Sequence, residues 1–189
     1  MLNAKSLNTS KTMLKEQIFV FGEKTAEVPA EYVKKHTVIT AGLQKNNSMS
    51  QYICVNRTEH LDQLMATKLQ HAQILAPRQL YAKYVFHPGI ECLPMFADLA
   101  PYQWEPYSAS QQLLCVALAA WLGADVIYLF GYTIDDKKEL ENLRAMVTLY
   151  VNTEFVHVAK HQAKTNLKSL ENFTALDQPQ FKQRMREHG

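Results

Sequence analysis

The sequence predicts an α/β domain of three layers, with a mainly parallel sheet and helices on both faces. Three observations carry that expectation. Short apolar runs alternate with helical patterns, the order that builds parallel strands with helices over both faces. Residues 107–132, YSASQQLLCVALAAWLGADVIYLFGY, read as a helix, a tight stop and a strand with nothing spare between them. Glycine then closes the runs before it, at Gly22 and Gly42, and closes this one at Gly131.

In the 107–132 unit, Ser108 is the predicted helix cap, and Gln111 three residues on completes a capping-box pattern. Leu113, Leu114, Val116, Ala117, Leu118, Ala120 and Trp121 cover nearly the whole circumference, so this helix is expected to be buried on most sides. Gly123 stands where a helix end adopts a left-handed residue. Val126–Phe130 is a continuous apolar run, the mark of a strand covered on both faces.

The remaining elements follow in order. Gln17–Phe21 is a first strand, and Pro29 near the first helical position opens a short helix. Thr37–Ala41 is a second strand and 51–55 (QYICV) a third, joined by the polar loop QKNNSMS. Thr58 is expected to cap a helix reaching about Gln70, with Leu61, Leu64, Met65 and Leu69 on one face. Gln73–Ala76 and 84–86 are short strands, with a turn at His87-Pro88-Gly89. Residues 93–106, rich in proline and aromatics, form a long connection of the kind that often carries function. Asp136 and Glu139 make a second capping-box pattern, opening a helix with Leu140, Leu143, Val147 and Tyr150 inward. Residues 154–158 are expected to be the last strand. The expected organisation is a flexible arm over 1–16, the α/β domain over 17–159 and a polar tail over 160–189, in which Gln178-Pro179 breaks a weak amphipathic pattern.

Bulk properties narrow the function classes. The 189 residues suffice to bury a core, and 47% hydrophobic with 20% charged is ordinary for a globular chain. A net charge of +2 gives no reason to expect nucleic acid or a membrane surface as partner. No apolar run reaches the roughly 18 residues of a span, and the start has no apolar leader core, so a cytoplasmic location is expected. The three cysteines, Cys54, Cys92 and Cys115, are widely spaced and make no CxxC pair, which argues against a zinc site or a disulfide framework.

In an open α/β sheet, ligands bind beyond the carboxyl ends of the strands. The strand ends here carry Gly22-Glu23-Lys24-Thr25, Gly42-Leu43-Gln44, Asn56-Arg57 and Gly131-Tyr132-Thr133. The start of the central helix, with Ser108, Ser110 and free backbone N–H groups, should open on the same edge and suit an anion. Lys24 and Arg57 would add positive charge. Asp135 and Asp136 lie just past a strand end, where a metal-bound phosphate would be met. Each residue also has a structural role open to it: Ser108, Asp135 and Asp136 as helix caps, the glycines as strand ends, Lys24 and Arg57 as solvated charges. None of the seven histidines falls in an HxH or HExxH pattern; His87 is the candidate acid or base, with Asp135, and His157 reads as structural. No GxSxG, Walker A loop or GxGxxG occurs.

Residues 108–146 resemble a known pattern: a serine-bearing loop, an apolar helix, Leu122-Gly123-Ala124, Ile127, Leu129 and Gly131, then Lys137-Lys138-Glu139-Leu140. This is similar to the Rossmann-like domain shared by the flagellar accessory-factor proteins (formerly DUF115), the pterin-pyrophosphokinase-like proteins and the related bacterial sialyltransferases. In element order the resemblance spans 18–158. Gly22-Glu23-Lys24-Thr25 stands where that group has a Gly-Asn-Gly-Pro-Ser-like nucleotide loop, and Tyr132-Thr133 where an aspartate follows the strand glycine. The resemblance implies a nucleotide or nucleotide sugar as ligand, with or without magnesium, and a transferase-like activity on glycosyl or phosphoryl groups. The competing expectation is a non-catalytic assembly subunit, such as a phage-encoded one, meeting a protein partner or its own copy through the tails and the aromatics Tyr102, Trp104 and Tyr107.

Overall fold

The computed structural model describes residues 16–24, 26, 28–67, 71–93, 109–134, 137–159 and 166–188. They build one sheet of eight strands in the order β5-β4-β3-β2-β1-β6-β7-β8. The strands are β1 (Gln17–Phe21), β2 (Thr37–Ala41), β3 (Tyr52–Cys54), β4 (Gln73–Ala76), β5 (Ile90–Cys92), β6 (Val126–Phe130), β7 (Glu154–Ala159) and β8 (Phe173–Asp177). Every neighbouring pair is parallel. The chain winds outwards from β1 to β5, returns to the other side of β1 as β6, and winds outwards again to β8. The direction of winding therefore reverses between β1 and β6, which run in register from Gln17↔Val126 to Phe21↔Phe130.

Helices cover both faces: α1 (Ala30–Val33), α2 (Thr58–Ala66), α3 (Arg78–Tyr81), α4 (Gln111–Trp121), α5 (Lys137–Leu149) and α6 (Gln178–His188). Alternation along the strands decides what each face buries. Ile18 and Val20 of β1 join Ile127 and Leu129 of β6 beneath α4 and α5. Phe19, Phe21, Tyr128 and Phe130 point the other way and pack with Val33, Phe181 and Met185 from α1 and α6. Ile53, Val55, Ile74 and Ile90 pack with Leu61, Leu64 and Leu80 of α2 and α3. Every residue of α4 from Gln111 to Ala120 is buried, as its unbroken apolar surface requires. Its Leu122 cap is followed by Gly123 at φ +85°, the left-handed stop expected there.

Several expectations are corrected. The cap of α4 is Ser110, whose Oγ accepts the Leu113 N–H at 3.1 Å; Ser108 lies outside the described residues. Residues 84–86 form turns, and the strand is β5, after Gly89. The preceding α3 has Pro77 at its cap, a helix start the sequence reading did not assign. Thr58 begins α2 but Arg57 occupies the cap position without a side-chain bond, and the helix stops at Ala66. The strand over 154–158 is not the last, and 160–189 is not merely a polar tail. β8 pairs with β7 from Phe155↔Phe173 to Ala159↔Asp177, and α6 buries Phe181 and Met185. Gln178-Pro179 is no break: Asp177 Oδ1 accepts the Gln180 N–H and Gln180 Oε1 accepts the Asp177 N–H, both at 2.9 Å, a capping box with proline in the first turn. Arg184 of α6 then holds Glu154 bidentately, at 2.9 and 2.6 Å, and donates to the Tyr128 hydroxyl. Most of the expected arm, 1–15, and most of the 93–106 connection lie outside the described residues, as do Tyr102, Trp104 and Tyr107.

Candidate strand-end site

A helix that leads into a parallel strand runs back across the sheet, so α4 begins over the carboxyl ends of the strands. The contacts of its first turn are the strand ends themselves. Gln111 Oε1 accepts the Asn56 N–H at 3.3 Å, just past β3. The same amide meets His60 Nδ1, which lies 3.2 Å from Oε1 and 3.1 Å from the amide nitrogen. Gln112 binds the exit of β6 on both sides of its amide: Oε1 accepts the Thr133 N–H at 3.1 Å and Nε2 donates to the Thr133 carbonyl at 2.9 Å. Gln44 Nε2 ties the ends of β1 and β2 by donating to the Gly22 and Ala41 carbonyls.

The strand-end glycines are there because backbones and side chains meet at these points. A Cβ on Gly22 would lie 2.6 Å from the Gly131 carbonyl oxygen and 2.9 Å from Gln112 Oε1. Gly42, at φ +64°, would place a Cβ 2.8 Å from both the Gln111 amide nitrogen and His60 Nδ1. Gly131, at φ +59°, would drive one into the Lys24 carbonyl. Across the reversal point, Gly22 N–H donates to the Phe130 carbonyl at 2.7 Å and Lys24 N–H to the Gly131 carbonyl at 3.1 Å. The loops leaving β1 and β6 are thus joined backbone to backbone.

On the α5 side, one carboxylate oxygen gathers three neutral donors. Glu139 Oε1 accepts from Ser110 Oγ at 2.7 Å, Gln112 Nε2 at 3.1 Å and Tyr132 Oη at 2.6 Å. Glu139 is 8% exposed and Tyr132 5%. Burial, and then the Glu139 charge, hold the Tyr132 hydroxyl well above its ordinary pKa, so it remains a proton donor. The Tyr132 carbonyl accepts from Nε2 of buried His157 at 3.1 Å, while His157 Nδ1 has no partner among the described residues. Burial lowers the His157 pKa, opposed by that carbonyl bond.

The structure therefore brings Gly22, Lys24, Gly42, Asn56, Arg57, Ser110, Gly131 and Tyr132 to one edge of the sheet. Lys24 and Arg57 are exposed there, whereas the Tyr132 side chain is committed inward. Asn56 donates through Nδ2 to the Ala109 carbonyl at 2.6 Å, and its buried Oδ1 has no partner among the described residues. Thr25, Ser108, Asp135 and Asp136 lie outside the described residues. His87 does not join the group. It precedes β5, its carbonyl accepting the Ile90 N–H at 3.4 Å, so it stands exposed at the amino edge, opposite the other candidates. His60, Gln111, Gln112 and Glu139 were not assigned to the site from sequence. The visible signal was the polar pair Gln111-Gln112 opening an otherwise apolar helix. Among the described residues no group of three His, Cys, Asp or Glu side chains could hold a metal ion, and no helix is long and apolar enough to cross a membrane. Cys54 and Cys115 are buried free thiols and Cys92 is an exposed one.

No family model matches the chain, and no curated protein matches it. Among solved structures it is similar to the sialyltransferase CstII from Campylobacter jejuni in complex with the substrate analogue cytidine-5'-monophosphate, with a TM-score of 0.54 and 10% identity, covering 84% of this chain and 85% of that chain. It is equally similar to the same enzyme in complex with CMP-3FNeuAc, at 0.54 and 11%, covering 84% and 86%. A mutant of the α-2,3/8-sialyltransferase CstII gives 0.54 and 12% over the same shares. At these identities the likeness is one of fold: a three-layer Rossmann-like sheet of the kind found in those sialyltransferases.

Proposed function

We propose that this chain is a nucleotide- or nucleotide-sugar-dependent transferase-like protein, moving a glycosyl or phosphoryl group at the carboxyl edge of its sheet. The observation that carries the reading is the convergence of the β1, β2, β3 and β6 ends with the first turn of α4, where the winding reverses. The fold shared with a sialyltransferase bound to a cytidine nucleotide supports it by analogy, and so does the resemblance of 108–146 to the DUF115 and pterin-pyrophosphokinase-like proteins. In this reading Asn56 offers its Oδ1, which has no partner among the described residues, to a hydroxyl or amino group of the ligand. Lys24, Thr25, Arg57, Ser108 and Ser110 meet its phosphate, and the glycines let the strand ends and the first turn of α4 pack together beneath it. Where the ligand needs magnesium, Asp135 and Asp136 would hold it; where it does not, Asp135 is the candidate acid or base. His87, at the opposite edge, has no part in it. Catalysis would come mainly from positioning and from stabilising a leaving phosphate.

A second reading, a non-catalytic assembly subunit, is favoured by one observation: the hydroxyls and amides of Ser110, Gln112 and Tyr132 are already spent on Glu139. A thermal-shift screen with CMP, CMP-sugars, UDP-sugars, GDP-sugars, ATP and GTP, with and without magnesium, separates the two. Ligand at about a hundred times its Kd stabilises by about 2.7 kcal/mol, or roughly 5–10 °C for a chain of this size. A shift lost in Asn56→Ala supports the transferase-like reading. A flat screen leaves the assembly role.

A further inference from the structure

Glu139 is a buried carboxylate whose three described donors are all neutral and all aimed at one oxygen. Those donors come from two other elements: Ser110 and Gln112 from the first turn of α4, and Tyr132 from the exit of β6. Ser110 serves twice, since the hydroxyl that donates to Glu139 also accepts the Leu113 N–H. Gln112 serves twice as well, joining Glu139 to both backbone groups of Thr133. One side chain in the first turn of α5 thus ties down the first turn of α4 and the β6 exit together. The β6 exit is in turn joined to the β1 exit through Gly131 and Lys24.

We propose that Glu139 is a latch that holds the strand-end edge closed, and that ligand entry at this edge requires its release. The carboxylate occupies the hydroxyl and amide donors that a ligand at the edge would otherwise engage. Its release frees Ser110, Gln112 and Tyr132 and loosens the 131–134 segment without disturbing the sheet beneath. The entry step rests on the functional reading above; the latch itself does not.

Hydrogen exchange on the full chain tests the latch. In Glu139→Ala, and to a smaller extent in Glu139→Gln, which keeps one acceptor oxygen, the Leu113 and Thr133 amides should exchange roughly tenfold faster or more. The Phe19, Tyr128 and Val156 amides, inside the sheet, should keep their wild-type rates. No acceleration, or equal acceleration everywhere, overturns the latch. Titration with CMP then tests entry: Glu139→Gln should bind at least about fivefold more tightly than wild type. Equal or weaker binding by the variant overturns the entry step. If neither protein binds CMP or any nucleotide of the screen, the functional reading fails, entry fails with it, and exchange alone decides the latch.

Discussion

The two faces of the β1–β6 pair are built from different chemistry. Towards α4 the strands turn aliphatic side chains, and the helix answers with a mixture of aliphatic residues, Leu113, Leu114 and Val116, and small ones, Cys115, Ala117, Ala119 and Ala120, all buried. Towards α6 they turn an aromatic ladder. Phe19 stacks on Tyr128 at 5.1 Å and on Phe130 at 5.7 Å, and Phe181 meets Phe130 edge-on at 5.1 Å. Small residues let a helix lie close to a sheet, so the polar first turn of α4 reaches the strand ends. The rings are flanked by the Arg184–Glu154 pair, whose guanidinium also donates to the Tyr128 hydroxyl. The aromatic face is a core, whereas the α4 face is a core that ends in a polar edge.

Breaking the aromatic face should cost most. Phe181→Ala removes a fully buried ring and should destabilise by about 3–5 kcal/mol in urea unfolding. A loss under about 1 kcal/mol would mean that the ladder collapses onto the gap. On the other face the sensitivity is to added bulk. Ala117→Leu, at a fully buried site, should cost about 1–3 kcal/mol and disturb the Gln111 and Gln112 bonds as the helix is pushed outwards. If it is neutral, the close approach of α4 is not what holds its first turn in place.

Acid should act through His157, next to the polar edge. Its folded pKa lies below the ordinary 6.5, so the unfolded chain takes up the proton first. Stability from this group is complete above about pH 6.5, falls as pH drops towards the folded pKa, and then levels off. His36 is lowered as well, by burial and then by Lys35, and acts in the same window. Urea unfolding from pH 7.5 to 5 should show the fall, and His157→Gln should reduce its slope. An unchanged slope would leave His36 as the source. Ser110→Ala should cost about 1 kcal/mol for the lost cap and about 1 kcal/mol more for the donor that Glu139 loses, and should weaken nucleotide binding. Full retention of affinity would remove Ser110 from the ligand contacts.

How legible these regions were in the sequence follows from the same physics. The α4–β6 unit could be read because its apolar runs are longer than any alternative explanation and end in glycine. The strand ends could be read because glycine and polar residues closed each run. The C-terminal β8–α6 unit could not, because Gln178-Pro179 looks like a break until Asp177 and Gln180 are seen to cap each other. Residues 84–86 were mistaken for a strand because Tyr84, Val85 and Phe86 have strand-like composition, though Phe86 is 96% exposed on a turn. Glu139 read as a local cap. Its partners Ser110, Gln112 and Tyr132 are separated from it by 29, 27 and 7 residues, and only folding brings them together.

The central claim, that the carboxyl edge beside α4 receives a nucleotide, is tested most directly by titrating the labelled protein with CMP and the other nucleotides while following backbone amide resonances. Shifts concentrated at Gly22, Gly42, Asn56 and Gly131, with the sheet interior unmoved, are the predicted result. Saturating ligand without any shift there, or shifts confined to the amino edge around His87, would contradict it.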